Sequence, residues 1–354
     1  MAMKDLGLRV FPVDTFIYRS NSFSIWLIDK VLKRIGHHLD LVQAGRAIVD
    51  LTRRHCPNVL WMDKCLAVSP AVLRWVKEHS PDTRIVSYSP DDMLNPNNQS
   101  SNYLQSIPIY DLHVTTKSYN CSELKELGAR EVLFVDNAFA PHVHAPPAVP
   151  ATLEQMQRNG VAFIGSFELE RALVLENIGK KEIPLTIWGN WPKRWRHRLA
   201  KVGAIVHSRA LIEHEYSSAI SSFLINLNFL RKVNRDLQTT RSIEIPASGG
   251  FMLAERTQEH QGLFMEGIEA EYFSTEGELL EKIDFYLKRP ERAVNIARQA
   301  RLRCELSGYS NQARLAYILK HINIDITTNQ SVTRNNVDRA RSNPADFQPS
   351  EITQ

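Results

Sequence analysis

The sequence predicts an α/β protein built from two Rossmann-like domains. Short apolar runs alternate with helical segments along most of the chain, at the spacing of the strand–helix units that form parallel sheets. This alternation stops at residues 137–150, which contain four prolines, and then begins again. A length of 354 residues with 43% hydrophobic side chains is sufficient for two cores.

The first domain is expected to span residues 1–140. Apolar runs of strand length predict strands at 8–13, 58–62, 84–88, 112–115 and 131–135. Helices are predicted at 23–35, 45–55, 70–78 and 118–127. Glycines at 36 and 128 end two of these helices, and Pro70 begins another.

The second domain is expected at residues 159–308, after a linker at 141–158. Strands are predicted at 161–164, 185–188, 204–207, 223–229 and 251–253, and helices at 213–221, at 241–247 and from residues 169 and 290 onward. Between the last strand and Pro290, an apolar face recurs at helical spacing, formed by Leu279, Leu280, Ile283, Tyr286 and Leu287. A last helix at 309–322 is expected to form its own segment, 309–324. The polar tail 325–354 has no apolar period and is expected to be disordered.

The most informative stretch is 241–255, Arg-Ser-Ile-Glu-Ile-Pro-Ala-Ser-Gly-Gly-Phe-Met-Leu-Ala-Glu. It predicts a helix that runs into a buried strand, with Arg241 and Glu244 on one helix face. Gly249 and Gly250 provide the helix exit. Glu244 is therefore expected near the carboxyl-end edge of a parallel sheet, where ligands bind. A plain helix–strand junction with a surface ion pair is the alternative.

This stretch resembles the donor-site signature of the GT-B glycosyltransferases, close to Arg-x-x-Glu-x-x-Ala-x-Gly-Gly-Phe. It is most similar to the group that contains the spore-maturation protein CgeB. The resemblance implies two Rossmann-like domains that face each other across a cleft, with the final helix crossing back to the first domain. It also implies that Glu244 holds the ribose or nearby sugar hydroxyls of a nucleotide-sugar, since a carboxylate accepts two hydroxyl hydrogen bonds.

A second candidate donor element follows the strand at 161–164. Gly165 and Ser166 lead into a helix N-terminus, which favours an anion such as a phosphate. A matching Phe-Ile-Gly-Ser followed by Glu-Arg is similar to the CgeB-type group and brings in Arg171. The run Trp188, Gly189 and Asn190 corresponds to a loop that lies near the nucleotide base in GT-B folds, although Trp188 is also well suited to the core.

Cationic residues cluster before the signature stretch. Arg231, Lys232, Arg235 and Arg241 are candidates for the donor pyrophosphate, with a solvated basic loop as the alternative. Asp236 lies eight residues before Glu244, where retaining GT-B enzymes carry the first glutamate of a Glu-x7-Glu pattern. The aspartate leaves open both this equivalence and the stereochemical outcome.

The candidates for the catalytic base lie in the first domain. Asp91 and Asp92 belong to a polar loop after a strand, a position that favours either a surface loop or a site residue. Asp14 occupies the place of the glycine-rich loop that many GT-B members have. The two adjacent aspartates are not an Asp-x-Asp motif, so neither a metal nor another cofactor is expected. His142 and His144 have no third ligand nearby and are interpreted as part of the linker.

Composition limits the remaining possibilities. The net charge of +4 is spread along the chain without a basic block, so nucleic acid is not an expected partner. The four cysteines form neither a zinc pattern nor a disulfide framework, which favours the cytoplasm. No apolar run is long enough to span a membrane, although peripheral membrane contact stays open.

These observations predict a metal-independent glycosyltransferase that moves a sugar, as a hexosyltransferase would, from a nucleoside-diphosphate sugar to an unidentified glycan, lipid-linked or protein acceptor. The alternatives are a non-catalytic nucleotide-sugar-binding protein and a GT-B-like epimerase or phosphorylase.

Overall fold

The first domain contains a parallel four-stranded sheet in a computed structural model that describes residues 1–15, 38–324 and 326. The strand order is β1-β2-β3-β4. The strands are β1 Val59–Asp63, β2 Arg84–Ser89, β3 Leu112–Thr115 and β4 Val132–Phe134. The described helices are Ala2–Asp5, Ala44–His55, Pro70–His79, Ser101–Ser106 and Asn120–Glu126, with a 3₁₀ turn at Ile107–Ile109. The predicted helix 23–35 and nearly all of the tail 325–354 lie outside the described residues.

The strand predicted at residues 8–13 is wrong. This segment has no strand partner among the described residues. Pro12 removes a backbone donor that a sheet ladder would need. The segment is instead held by side chains, with Leu8 packed beside the last helix and the Phe11 ring stacked on His55 at 4.1 Å.

The second domain contains a parallel six-stranded sheet in the order β7-β6-β5-β8-β9-β10. The strands are β5 Val161–Ile164, β6 Leu185–Trp188, β7 Ile205–His207, β8 Ile225–Asn228, β9 Met252–Glu255 and β10 Glu271–Phe273. Counted along the domain, this is the 3-2-1-4-5-6 order of a dinucleotide-binding sheet. The order reverses between β5 and β8, so a crevice opens there at the carboxyl ends of the strands.

Helices cover both faces of the second sheet. The described helices are Leu153–Asn159, Leu169–Lys180, Lys193–Ala200, Glu213–Ser222, Arg241–Ala247, Gln258–Leu263, Glu276–Leu287 and Pro290–Leu306. Val161, Phe163 and Leu227 pack into the core on one face, whereas Ala162 and Ile164 belong to the core on the other. This alternation within β5 is the two-residue period of a strand that is buried on both sides.

The chain passes between the domains twice, and the two passages lie side by side. Phe139 and Ser310 form a parallel bridge, in which the Phe139 N–H group donates to the carbonyl of Tyr309. The last helix, Asn311–His321, then packs Leu315 and Ile318 against the first sheet. This is the return of the final helix that the resemblance to GT-B proteins implies.

No helix in the described part of the chain is both long enough and apolar enough to cross a membrane.

Candidate nucleotide-sugar site

Two loops meet at the point where the strand order of the second sheet reverses. Residues 165–168 follow β5 and residues 229–231 follow β8, and these two strands are neighbours in the sheet. The predicted phosphate loop is therefore located where parallel sheets bind ligands.

Gly165 and Gly189 bring the loops after β5 and β6 into close contact. A Cβ atom at Gly189, whose φ is 141°, would lie 2.1 Å from the Gly165 carbonyl oxygen. The same oxygen accepts a hydrogen bond of 3.0 Å from the Trp191 indole. Contacts with Gly189 and Trp191 thus fix the backbone of the 165–166 loop. Ser166, at the end of this loop, is exposed.

Arg171 is buried at this crevice. Its guanidinium donates to the Phe229 carbonyl at 3.2 Å and weakly to the Ser166 carbonyl at 3.4 Å, while its Nε atom has no hydrogen-bond partner. Burial lowers the pKa of Arg171, and Glu168 partly opposes that effect. The Nε atom lies 3.6 Å from Oε2 of Glu168, an ion pair without a hydrogen bond, so this buried cation still has a donor for an anion.

Other residues predicted beside the donor differ in exposure. Trp188 is in the core, stacked on His207 with ring centroids 5.2 Å apart, as the core interpretation of this residue anticipated. Asn190 is exposed. Arg231 is about half exposed and lies 3.2 Å from Glu168, so it is a solvated ion pair in this structure.

The signature helix Arg241–Ala247 directs two polar side chains to the same region. Its N-terminus is fixed by Ser242, whose hydroxyl contacts Asn228 Nδ2 at 3.1 Å and His260 Nε2 at 2.7 Å. The Nε atom of Arg241 is buried without a partner. The Glu244 side chain is 19% exposed, and its Oε1 atom lies 3.7 Å from His144 Nε2.

The two glycines that follow this helix serve different purposes. Gly249 has a φ of 77°, the left-handed exit that the sequence predicts. Gly250 has no such angle, but a Cβ there would lie 2.4 Å from the Ile220 side chain. Gly250 is therefore required for close packing.

Asp236 joins the two domains through a buried ion pair. Its carboxylate accepts from Lys117 of the first domain at 2.6 Å and from Asn234 at 2.8 Å. The Lys117 and Asp236 side chains are each only 3% exposed. Both donors bind Oδ1 of Asp236. In this structure the Asp236 carboxylate therefore holds the first domain through Lys117.

Asp92 is also part of the interdomain contact. Arg235 donates to both of its carboxylate oxygens, at 2.8 and 3.0 Å, and to both oxygens of Glu123. The Arg235 guanidinium lies 4.2 Å from the centre of the Tyr119 ring. Burial alone would raise the pKa of Asp92, but hydrogen bonds from Arg235 and Asn120 leave it below its ordinary value.

The other two candidate bases have different surroundings. Asp91 accepts from Lys64 at 2.5 Å. Asp14 is exposed, and no hydrogen bond or ion pair within the described residues joins it to the interdomain cluster. Their role as a base remains a prediction.

Sequence analysis missed two contributors to this region, Lys117 and His144. Arg235 was proposed for the donor pyrophosphate, and in the structure it pairs with Asp92 and Glu123. The partner of Lys117, Asp236, lies 119 residues further along the chain. No signal exists for His144, because its partner lies 100 residues away. Among the described residues, no group of three His, Cys, Asp or Glu side chains is arranged to hold a metal ion.

Comparison with known proteins agrees with this architecture. A family model described as glycosyl transferase-like matches residues 171–320, which include the signature stretch and the last helix. No curated protein sequence matches the chain.

Several solved structures share both domains at low sequence identity. Sucrose-phosphate synthase from Thermosynechococcus elongatus has 11% identity and a TM-score of 0.59, over 89% of this chain and 83% of its own. A glycosyltransferase from Rickettsia africae has 12% identity and a TM-score of 0.57, over 89% and 85%. HepE of Anabaena, in complex with UDP and glucose, has 10% identity and a TM-score of 0.55, over 79% and 83%. The chain therefore has the two-domain GT-B fold of these glycosyltransferase structures.

Proposed function

We propose that the protein is a glycosyltransferase that takes a sugar from a nucleoside-diphosphate sugar held by its second domain. One observation carries the proposal. The buried Arg171, the partly buried Arg241 and the Glu244 carboxylate belong to the carboxyl-end edge of a parallel sheet, and neither arginine Nε atom makes a hydrogen bond. Cations there match a diphosphate, and the carboxylate matches sugar or ribose hydroxyls.

The comparisons support the same conclusion. The glycosyl transferase-like model covers these helices, and HepE has been solved in complex with UDP-glucose. Within this fold, the run 241–251 supports a relationship to the CgeB-type group and hexosyltransferase activity, and the lack of a disulfide pattern among the four cysteines favours the cytoplasm.

In this mechanism the leaving diphosphate is stabilised by side chains of the chain itself. Arg171 and Arg241 would offset the charge that develops on the diphosphate, and the N-terminus of helix Leu169–Lys180 adds a favourable dipole. The first domain would bind the acceptor. If the enzyme inverts the configuration of the sugar, an aspartate among Asp14, Asp91 and Asp92 would remove the acceptor proton.

The test is a thermal-shift measurement with UDP-, GDP- and dTDP-sugars, with and without EDTA. A ligand at a hundredfold excess over its Kd stabilises the folded state by about 2.7 kcal/mol, a shift of roughly a few degrees. Glu244→Ala should raise the Kd of the ligand that gives the largest shift by about 10- to 100-fold. Glu281→Ala, an exposed glutamate on helix Glu276–Leu287, is the matched control. No shift with any ligand would reject the proposal.

A non-catalytic nucleotide-sugar-binding protein is the second candidate. It is favoured by the pairing of Asp91 with Lys64 and of Asp92 with Arg235, which leaves neither carboxylate free of a cationic partner. Release of free nucleoside diphosphate when acceptor glycans or lipids are added would exclude it. Binding without any release would support it.

A further inference from the structure

The segment that connects the domains reaches the donor-site helix through one histidine. His144 lies in a turn formed by residues 140–144, where its N–H group donates to the Ala140 carbonyl at 2.8 Å. Its imidazole is largely buried, and Nε2 lies 3.7 Å from Oε1 of Glu244. Sequence analysis assigned His144 to the linker alone.

The contacts of the imidazole determine its tautomer. The Ala140 N–H group donates to His144 Nδ1 at 3.1 Å, so Nδ1 acts as the acceptor. In the neutral ring the proton is then on Nε2, which faces Glu244. At 3.7 Å the Nε2–H group is just beyond hydrogen-bond length, a separation that a small side-chain movement closes.

The turn is attached to the donor-site helix at further points. Arg301 donates to the carbonyls of both His144 and Ala247, the last residue of the helix. Ser217 donates to the Val143 carbonyl. Pro146 lies against Gly249, where a Cβ atom would come within 3.0 Å of the proline ring. The turn and the helix therefore form one packed unit.

We propose that His144 is a positioning residue of the nucleotide-sugar site, whose Nε2–H group orients one Glu244 oxygen and leaves the other for ligand hydroxyls. The inference rests on the proposed role of Glu244. The buried Tyr216 hydroxyl lies beside the same carboxylate without a well-formed hydrogen bond, and its ring packs edge-on against His144 at 5.8 Å. His144 and Tyr216 thus enclose the carboxylate from the linker and from helix Glu213–Ser222.

Protonation of His144 would disturb this arrangement. An imidazolium carries a proton on Nδ1 and can no longer accept from the Ala140 N–H group. Burial lowers the pKa of His144, Glu244 opposes that shift, and His142 adds to it. The other charged or titratable groups around this pair are Tyr216, Arg241 and Arg301. Because the pKa of His144 is lowered from the ordinary value of 6.5, ligand affinity should fall only when the pH is well below that value.

Two substitutions of His144 distinguish the roles of its two ring nitrogens. His144→Asn keeps an acceptor near Nδ1 for the Ala140 N–H group but removes the donor to Glu244. His144→Gln keeps a donor near Nε2 but removes that acceptor. The probe is whichever of UDP-glucose, GDP-mannose and dTDP-glucose most raises the Tm of the wild-type protein, and its Kd is measured by calorimetry.

At about pH 7.5, His144→Asn should weaken binding roughly tenfold and His144→Gln by less than about threefold. Adding His144→Asn to Glu244→Ala should produce no further loss, because the histidine acts through that carboxylate. As the pH is lowered from about 7.5 to well below 6.5, the wild type should lose affinity while His144→Gln stays nearly constant.

The inference would be overturned if His144→Asn binds the probe as tightly as the wild type. It would also be overturned if His144→Asn weakens binding as much in the Glu244→Ala background as in the wild type. Equal losses in the asparagine and glutamine variants would also overturn it, because the turn alone would then matter. If the wild type binds none of the three probes, the proposed function itself fails. If the wild type binds a probe and Glu244→Ala binds it with the same Kd, the role assigned to Glu244 is wrong.

Discussion

At the residue scale, the close contact between Gly165 and Gly189 determines the shape of the predicted phosphate loop. Gly189 combines a φ of 141° with a backbone oxygen only 2.1 Å from where its Cβ would be. Neither the angle nor the space accommodates an L side chain. The loop after β6 is therefore glycine-dependent because of packing against the loop after β5.

Gly189→Ala should lower the free energy of unfolding by about 2–4 kcal/mol, since it adds backbone strain to a steric overlap. It should also weaken nucleotide-sugar binding, because the Gly165 backbone must move. Gly203→Ala is the control: Gly203 also has a positive φ, of 84°, but no atom lies within 4 Å of its Cβ position. Equal effects in chemical denaturation would show that strain, and not the close contact, dominates.

At the element scale, helix Arg241–Ala247 is positioned by a buried polar network at its first turn. The Ser242 hydroxyl accepts from the Thr239 N–H group at 3.0 Å and contacts Asn228 and His260. His260 in turn contacts the Glu255 carbonyl at 2.6 Å, so the network joins the helix to β8 and β9. Burial lowers the pKa of His260, which favours its neutral form here.

Ser242→Ala should destabilise the protein by about 1–3 kcal/mol, because buried donors lose their acceptor. It should also raise the Kd for the donor, since Arg241 and Glu244 share this helix. Ser222→Ala provides the comparison, because the Ser222 hydroxyl bonds only to the Ala219 carbonyl of its own helix. Donor binding that is unchanged in Ser242→Ala would mean that packing alone positions the helix.

At the scale of the whole molecule, the domains are joined by charged pairs of very different exposure. Lys117 and Asp236 are almost completely buried, whereas Arg235 is 47% exposed where it meets Asp92 and Glu123. A buried pair depends on both of its members, since loss of one leaves an uncompensated charge. The buried pair is therefore the more sensitive point of the interface.

Lys117→Met should destabilise the protein by about 3–5 kcal/mol, and Lys117→Met combined with Asp236→Leu should recover most of that loss. Thermal unfolding of the two single variants, the double variant and the wild type measures the coupling. Arg235→Ala should destabilise the protein by about 1–3 kcal/mol, because it removes the charge partner of Asp92, whose side chain is only 2% exposed, while Asn120 still donates to that carboxylate. Additive losses in the double variant would show that the pair does not couple the domains.

Part of the site was predictable because its signals are local. Gly165, Ser166 and the stretch 241–255 could be recognised from spacing and resemblance, since each lies within one strand–helix unit. The partner of Asp92 could not be found in this way, because Arg235 lies 143 residues further along the chain. The strand predicted at residues 8–13 failed for a related reason: its apolar pattern carries no information about a sheet partner.

The sequence by itself determined the α/β class, the two-domain division and the helix–strand stretch that carries Arg241 and Glu244. These features follow from apolar period and from turn residues, which act over a few positions. Only the tertiary structure decided the strand order, the pairing of Lys117 with Asp236, the contacts of Arg235 and the approach of His144 to Glu244. Those features are contacts between segments that are far apart in the sequence. They form only when both cores pack, and no local sequence pattern predicts them.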